Sequence, residues 1–151
     1  MSHRRFHDPS HHEPFAFTQA SEDQIAWWER KYPTERRAST VIPALWITQK
    51  QNNGWLSEPA LRAVADRLGM TYIRVYEIAT FYTMFQLEPV GKKAHVQVCG
   101  TTPCMLRGSD EIMSACKARG MKIGHVSDDG LWTLTEVECM GNCASAPMVQ
   151  I

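Results

Sequence analysis

Four cysteines in two close pairs constrain this chain more than any other feature. Cys99 and Cys104 are separated by four residues, Cys139 and Cys143 by three, and 34 residues lie between the two pairs. Two thiolates on one short loop are directed toward the same point, so pairs of this kind usually bind metal. A fold that uses all four must bring the two loops together.

Iron and zinc are both candidates for that metal. We interpret the four cysteines as ligands of one [2Fe–2S] cluster, and the chain as an electron carrier, because the spacings exceed the usual C-x2-C knuckle of structural zinc sites. Spacing alone leaves a four-cysteine zinc site open, and a pair of disulfides is a weaker alternative. Cys116, the fifth cysteine, lies on the apolar stripe of a predicted helix, so we expect a buried core residue and not a ligand.

The residues around the cysteines suit a cluster of this charge. A [2Fe–2S] cluster held by four thiolates carries a net negative charge, which reduction increases. We expect Gly100 and Gly141 to let backbone N–H groups approach the sulfur atoms. The hydroxyls of Thr101 and Thr102 are further candidates to offset the charge and tune the potential.

Composition and missing motifs exclude several other classes. Hydrophobic residues make up 44% of the 151, enough for a buried core, and 16 basic residues balance 16 acidic ones, which argues against nucleic-acid binding. No apolar run could span a bilayer, and the N-terminus has no secretory signal, so we expect no membrane insertion and a reducing compartment. Without a Walker A or G-x-G-x-x-G motif, no nucleotide or flavin site and no catalytic residue are predicted.

The pattern along the chain predicts a helical half followed by a small α/β half. Residues 1–18 are predicted to form a polar, flexible arm with four histidines: His3, His7, His11 and His12. Helical periodicity covers residues 20–85, with a first cap at Ser21, a third helix between Ser57 and Gly69, and Pro43 as a kink or an early residue of the second helix.

After Pro89 the period changes to that of alternating strands. Strands are predicted over 95–99 and 131–137, a helix over 107–119, and a short strand from Pro147. The predicted fold class is therefore α+β.

Several longer segments resemble one known family, the 24-kDa-type [2Fe–2S] subunit (bacterial E subunit) of respiratory NADH:quinone oxidoreductase, complex I. The likeness runs from about residue 20 to the end of the chain. In the cysteine-bearing half it rests on Cys99-Gly-Thr-Thr-Pro-Cys104-Met-Leu-Arg-Gly108, Glu136-Val-Glu-Cys139-Met-Gly-Asn-Cys143 and Ala146-Pro-Met-Val-Gln-Ile151. In the helical half it rests on Ile42-Pro43-Ala44-Leu45-Trp46, Gly54-Trp55-Leu56-Ser57 and Glu77-Ile-Ala-Thr-Phe-Tyr-Thr-Met-Phe85.

The resemblance implies a fold, a ligand set and a partner. It implies a helical bundle over 19–88 and a thioredoxin-like [2Fe–2S] domain over 89–151. Cys99 and Cys104 would hold one iron, and Cys139 and Cys143 the other. The chain would dock on a flavoprotein subunit that carries FMN and the NADH site, among other peripheral-arm subunits. Its cluster would exchange electrons with FMN on a side branch of the path to quinone, so the chain would not be catalytic alone.

The same resemblance sets expectations for location and for the parent complex. We expect a peripheral position on the cytoplasmic side of a bacterial inner membrane, or on the matrix side in a mitochondrion. The first alternative is the equivalent diaphorase subunit of an NAD-linked hydrogenase or formate dehydrogenase. The second is a zinc-stapled structural interaction module. Family members usually continue further beyond the last cysteine than Ile151, so we expect the domain to be short at this end.

Overall fold

The computed structural model describes residues 13–151. They form two compact units, divided in sequence between Pro89 and Val90. The four histidines of the predicted N-terminal arm lie outside the described residues. Helices in the first unit and helices with a small sheet in the second confirm the predicted α+β class.

The first unit is helical throughout its described part. Its elements are α1 (Gln19–Glu29), a 3₁₀ segment (Thr34–Thr40), α2 (Val41–Gln51), α3 (Glu58–Leu68) and α4 (Tyr72–Phe81). Pro43 lies in the first turn of α2, where a missing N–H breaks no helical hydrogen bond, so it starts the helix without kinking it.

Local side-chain chemistry sets both ends of α3. The Ser57 hydroxyl accepts a hydrogen bond from the Ala60 N–H at 3.3 Å, and Pro59 occupies the first turn. Gly69 ends the helix at φ 65°, a left-handed conformation that costs glycine little. The predicted start and stop of this helix are confirmed.

The predicted start of α1 is wrong. The helix begins at Gln19, and Thr18 is its cap, because the Thr18 hydroxyl accepts a hydrogen bond from the Ser21 N–H at 3.3 Å. The Thr18 N–H also donates to the Gln51 side chain at 3.1 Å, a contact between residues 33 apart in sequence. That tertiary contact favours the earlier cap, and no local pattern indicates it.

Apolar side chains from all four helices and the segment after α4 form the first core. The largest fully buried members are Ile25, Leu45, Leu56, Leu61, Val64, Val75 and Phe85. A buried polar residue, Gln49, fixes the segment after α4. Its amide donates to the Met84 carbonyl at 3.2 Å and accepts from the Gln86 N–H at 2.8 Å, so the loop's backbone groups stay paired inside the unit.

An ion-pair network ties α3 to α1 in this unit. Arg67, near the end of α3, makes two hydrogen bonds of 3.0 Å to the Glu29 carboxylate and one of 2.6 Å to Glu22. Arg37 of the 3₁₀ segment also binds Glu29 and donates to the Arg67 carbonyl at 2.7 Å. Burial opposes ionisation of Glu29, but the hydrogen bonds from Arg67 and Arg37 outweigh it and lower its pKa.

The second unit is a three-stranded sheet with helices. Its elements are β1 (Ala94–Cys99), α5 (Thr102–Leu106), α6 (Ser109–Ala118), β2 (Trp132–Val137), a 3₁₀ turn (Cys143–Ser145) and β3 (Val149–Gln150). The strand order is β2-β1-β3, with β1 parallel to β2 and antiparallel to β3. The predicted strands are confirmed. The predicted helix over 107–119 is shorter, because Gly108, at φ 98°, separates it from α5.

The sheet core is small and built from alternate residues of the strands. Val96, Val98 and Leu134 are buried together with Met113 of α6. At the start of the pairing, the Gly91 N–H donates to the Thr133 hydroxyl at 2.7 Å. A Cβ at Gly91 would lie 2.4 Å from the Trp132 carbonyl carbon, so only glycine allows this approach of the two backbones. Among residues 13–151, no helix is both long and apolar enough to cross a bilayer.

The ion-pair network predicts a difference between two arginines of α3. Replacing Arg67 with Gln should lower the free energy of unfolding by about 1–2 kcal/mol after allowance for solvent screening, because Glu22 and Glu29 lose their partner. Replacing Arg62 with Gln should lower the free energy of unfolding by less, because its pair with Glu58 is exposed and lies within one helix, and only its contact with the Tyr72 ring is lost besides. Denaturant unfolding followed by the helical circular-dichroism signal measures both.

The pH dependence of that difference checks its origin. Because the folded-state pKa of Glu29 lies below its ordinary value of 4.5, the carboxylate's contribution is fully present above pH 4.5 and is lost as pH falls through the lowered value. The stability gap between wild type and Arg67→Gln should therefore be constant near neutrality and shrink in acid. A gap that stays the same down to low pH would contradict an ionic origin.

Candidate metal centre

Parallel strand pairing brings the two cysteine loops to one edge of the sheet. Cys99 is the last residue of β1, and its register partner is Val137, the last residue of β2. The first loop leaves β1 toward α5, which carries Cys104, and the second leaves β2 toward Cys139. Because the carboxyl ends of parallel strands lie at the same edge, loops that are far apart in sequence become neighbours.

The four predicted ligands are brought together, but they differ in exposure. Cys99 and Cys104 are almost fully buried, and they pack in a small apolar cluster with Ala146, beside Met140 and Met148. Cys139 and Cys143 are exposed. The site therefore has a closed side formed by the first pair and an open side formed by the second.

The distance within the exposed pair suits two ligands that share one metal. The sulfurs of Cys139 and Cys143 are 3.5 Å apart. Metal–thiolate bonds of about 2.3 Å in tetrahedral geometry would separate two sulfurs by about 3.8 Å. Cys99 and Cys104 pack in one buried cluster, and each thiol influences the pKa of the other.

The four cysteines form two pairs, one on each loop. Among residues 13–151, no group of three or more His, Cys, Asp or Glu side chains is placed to hold one metal ion. A mononuclear zinc site needs three or four such ligands, whereas a binuclear cluster takes two thiolates per metal. The donor set and its division into pairs therefore fit a [2Fe–2S] cluster.

Hydrogen-bond donors surround the sulfur of Cys99. The Thr101 hydroxyl lies 3.1 Å from it, and the backbone N–H groups of Thr101 and Met140 also donate to it. The Thr101 hydroxyl and backbone N–H lower the pKa of Cys99 to about 7, against the effect of burial. Cys104 has fewer donors, and burial raises its pKa despite a hydrogen bond from the Met148 N–H.

The exposed pair shows the same division. The Gly141 N–H donates to the Cys139 sulfur at 3.4 Å and lowers the pKa of Cys139. The hydrogen bond with Cys139 raises the pKa of Cys143, because the second thiol keeps the proton that the first gives up. Each pair thus holds one thiol that ionises readily and one that ionises late, and a metal must displace that remaining proton.

The expectation about Gly100 needs correction. The Gly100 N–H donates to the Val137 carbonyl at 3.0 Å and continues the sheet, so it does not serve a sulfur atom. The missing Cβ at Gly100 instead leaves space for the Glu136 side chain, whose oxygen would lie 2.2 Å from it. The donors that sequence reasoning missed are the N–H groups of Met140 and Met148, and their side chains give no sign of that role.

The fifth cysteine is set apart from the other four. Cys116 lies on α6 and packs against the sheet core, and it is not among the residues of the cysteine cluster. It is only half-buried, so the prediction of a fully buried core residue is wrong in degree. The reason is its position on the third turn of α6, near the helix end at Ala118, where the small sheet gives little cover.

Comparison with known proteins places this geometry in a family. Residues 25–151 match the family described as thioredoxin-like [2Fe-2S] ferredoxin. The chain is 54% identical over 123 residues to the E subunit of the NADH-quinone oxidoreductase of Rickettsia bellii, and the match covers 81% of this chain and 73% of that protein.

Two further relatives match a larger share of the chain. An E-type subunit (E 1) of the NADH-quinone oxidoreductase of Rhizobium meliloti is 51% identical over 141 residues, covering 91% of this chain and 50% of that protein. The corresponding protein of Rickettsia prowazekii is 48% identical over 138 residues, with 91% and 77% covered. The chain therefore belongs to the thioredoxin-like [2Fe-2S] ferredoxin family.

Proposed function

We propose that this chain is the electron-transfer subunit of an NADH-quinone oxidoreductase that holds one [2Fe–2S] cluster and exchanges electrons with FMN of a partner flavoprotein subunit. The observation that carries the proposal is the convergence of two cysteine pairs at one sheet edge, in a chain of this family. Its relatives are named as E subunits of that oxidoreductase. The chain is thus part of an oxidoreductase and not an enzyme alone.

The ligand set within the proposal is Cys99, Cys104, Cys139 and Cys143. One pair would hold each iron: the buried pair on the first loop one, and the exposed pair on the second loop the other. The contact between the sulfurs of Cys139 and Cys143, and the shared burial of Cys99 and Cys104, support this division.

Residues of the chain surround the ligand sulfurs and would offset the negative charge of the cluster. When bound, the cluster takes up and releases one electron at a time. The N–H groups of Thr101, Met140, Gly141 and Met148 donate to ligand sulfurs and offset negative charge. Ala146, Met140 and Met148 shield the buried pair from water, while Cys139 and Cys143 leave the other side open to a partner.

The partner, domain and location assignments complete the proposal. FMN and NADH would be bound by the flavoprotein subunit, and neither nucleic acid nor membrane insertion is involved. Residues 19–88 would act as the helical domain and 89–151 as the cluster domain. The chain would be peripheral, on the cytoplasmic side of the inner membrane. The relatives are named as NADH-quinone oxidoreductase subunits, which does not favour the hydrogenase and formate dehydrogenase alternatives. The matched family is a [2Fe-2S] ferredoxin family, which does not favour the zinc module.

Metal analysis tests the cluster directly. Purified chain should contain about two irons and two acid-labile sulfides, with the visible absorption of a [2Fe–2S] centre and an EPR signal on reduction. Iron, sulfide and zinc are measured on the same sample. One zinc per chain without iron would refute the proposed electron-transfer function and support the zinc-stapled interaction module.

Serine substitutions test the ligand set. Cys139→Ser should abolish or grossly change the visible absorption and the reduced-state EPR signal, because an alkoxide replaces a ligand sulfur. Cys116→Ser should leave both intact, since Cys116 packs on the sheet core away from the cysteine cluster. The two variants are matched controls, because each loses one sulfur and gains one hydroxyl. Equal loss from both would overturn the assignment.

The need for a flavoprotein can be measured separately. NADH alone should leave the absorption of the isolated chain unchanged, because the sequence has no nucleotide or flavin motif. Dithionite should bleach it, which shows that the cluster is reducible. Bleaching by NADH in the absence of any flavoprotein would refute the proposed division of labour.

A further inference from the structure

The side chain of Thr101 is placed for a role other than helix capping. Thr101 is the cap residue of α5, with extended backbone at φ −78° and ψ 160°. A threonine there usually accepts a hydrogen bond from the N–H of the second or third helical residue. Thr101 makes no such bond. The second helical residue is Pro103, which has no N–H to donate.

The hydroxyl is instead directed at the ligand sulfurs. It lies 3.1 Å from the Cys99 sulfur, which belongs to the proposed ligand set. A thiolate has no hydrogen to give, so the hydroxyl must be the donor, and its single hydrogen serves one sulfur at a time.

The neighbouring threonine provides the contrast. Thr102 is exposed, and no hydrogen bond of its side chain occurs among residues 13–151. Both hydroxyls are candidates from the sequence, and only Thr101 reaches a sulfur. The two residues therefore form a matched pair, one in contact with the site and one beside it.

We propose that Thr101 is a positioning residue that sets the reduction potential of the bound cluster by donating its hydroxyl hydrogen to a ligand sulfur. The inference rests on the proposed function, since it requires the four-cysteine cluster. Reduction adds one electron and makes the cluster more negative, so a donor stabilises the reduced form more than the oxidised form. Removing the hydroxyl therefore lowers the potential.

Three variants of the full chain test this inference. Thr101→Val removes the hydroxyl and keeps the branched shape, Thr101→Ser keeps the hydroxyl, and Thr102→Val is the neighbouring control. Each is titrated with dithionite and redox mediators, and the reduced fraction is followed by EPR and visible absorption. We expect Thr101→Val to disfavour reduction about tenfold, a shift of about 59 mV for one electron. Thr101→Ser and Thr102→Val should match wild type.

The outcomes separate the inference from the proposed function. Equal potentials for Thr101→Val and wild type would overturn the role of Thr101 and leave the electron-transfer function standing. If Thr101→Val holds no iron, Thr101→Ala is titrated in its place. Loss of iron from both, with Thr101→Ser loaded, would assign the hydroxyl to cluster assembly and also overturn the inference. Wild-type chain without iron and sulfide would instead refute the function itself.

Discussion

The parallel pairing of β1 with β2 is the constraint on which the site depends. Opposite Cys99, the register places Val137, two residues before Cys139. A register slip of one residue between the two strands would turn either Val96 and Val98 or Leu134 away from the core, so apolar burial fixes the pairing. The same burial therefore fixes the distance between the two cysteine loops. Gly91 contributes at the other end of the strands, where only a missing Cβ allows the backbones to meet.

Hydrogen-bond donors of the surrounding backbone offset the negative charge that the four thiols acquire when they ionise. Four sulfurs in one small region repel one another as they ionise. This repulsion adds to burial in raising the pKa of Cys104, and to the hydrogen bond with Cys139 in raising the pKa of Cys143. The donors to these sulfurs are mostly backbone N–H groups, held in place by the loops that carry the cysteines. A backbone donor has a fixed orientation and cannot be lost by most substitutions. Thr101 is the exception, because its hydroxyl belongs to a side chain and can be removed alone.

Sequence reasoning predicted the local elements well where their causes are local. The start and stop of α3 follow from Ser57 and Gly69, which act within one turn. The start of α1 did not follow, because a contact with Gln51, far along the chain, favours Thr18 as the cap. The buried Gln49, which pairs the backbone after α4, was missed for the same reason: nothing near it in sequence reveals its partners.

The sequence by itself determined the chemistry: four paired cysteines, the glycines and threonines beside them, and segments that resemble one family. These are properties of residue type and spacing, and folding does not alter them. Only the tertiary structure decided which donors serve the sulfurs, because hydrogen bonds depend on distance and direction. In the folded chain the Gly100 N–H bonds within the sheet, and the N–H groups of Met140 and Met148 donate to sulfurs. The Thr101 hydroxyl contacts the Cys99 sulfur instead of capping α5. It also left one cysteine pair buried and the other exposed, since β3 and its flanking residues cover only one side.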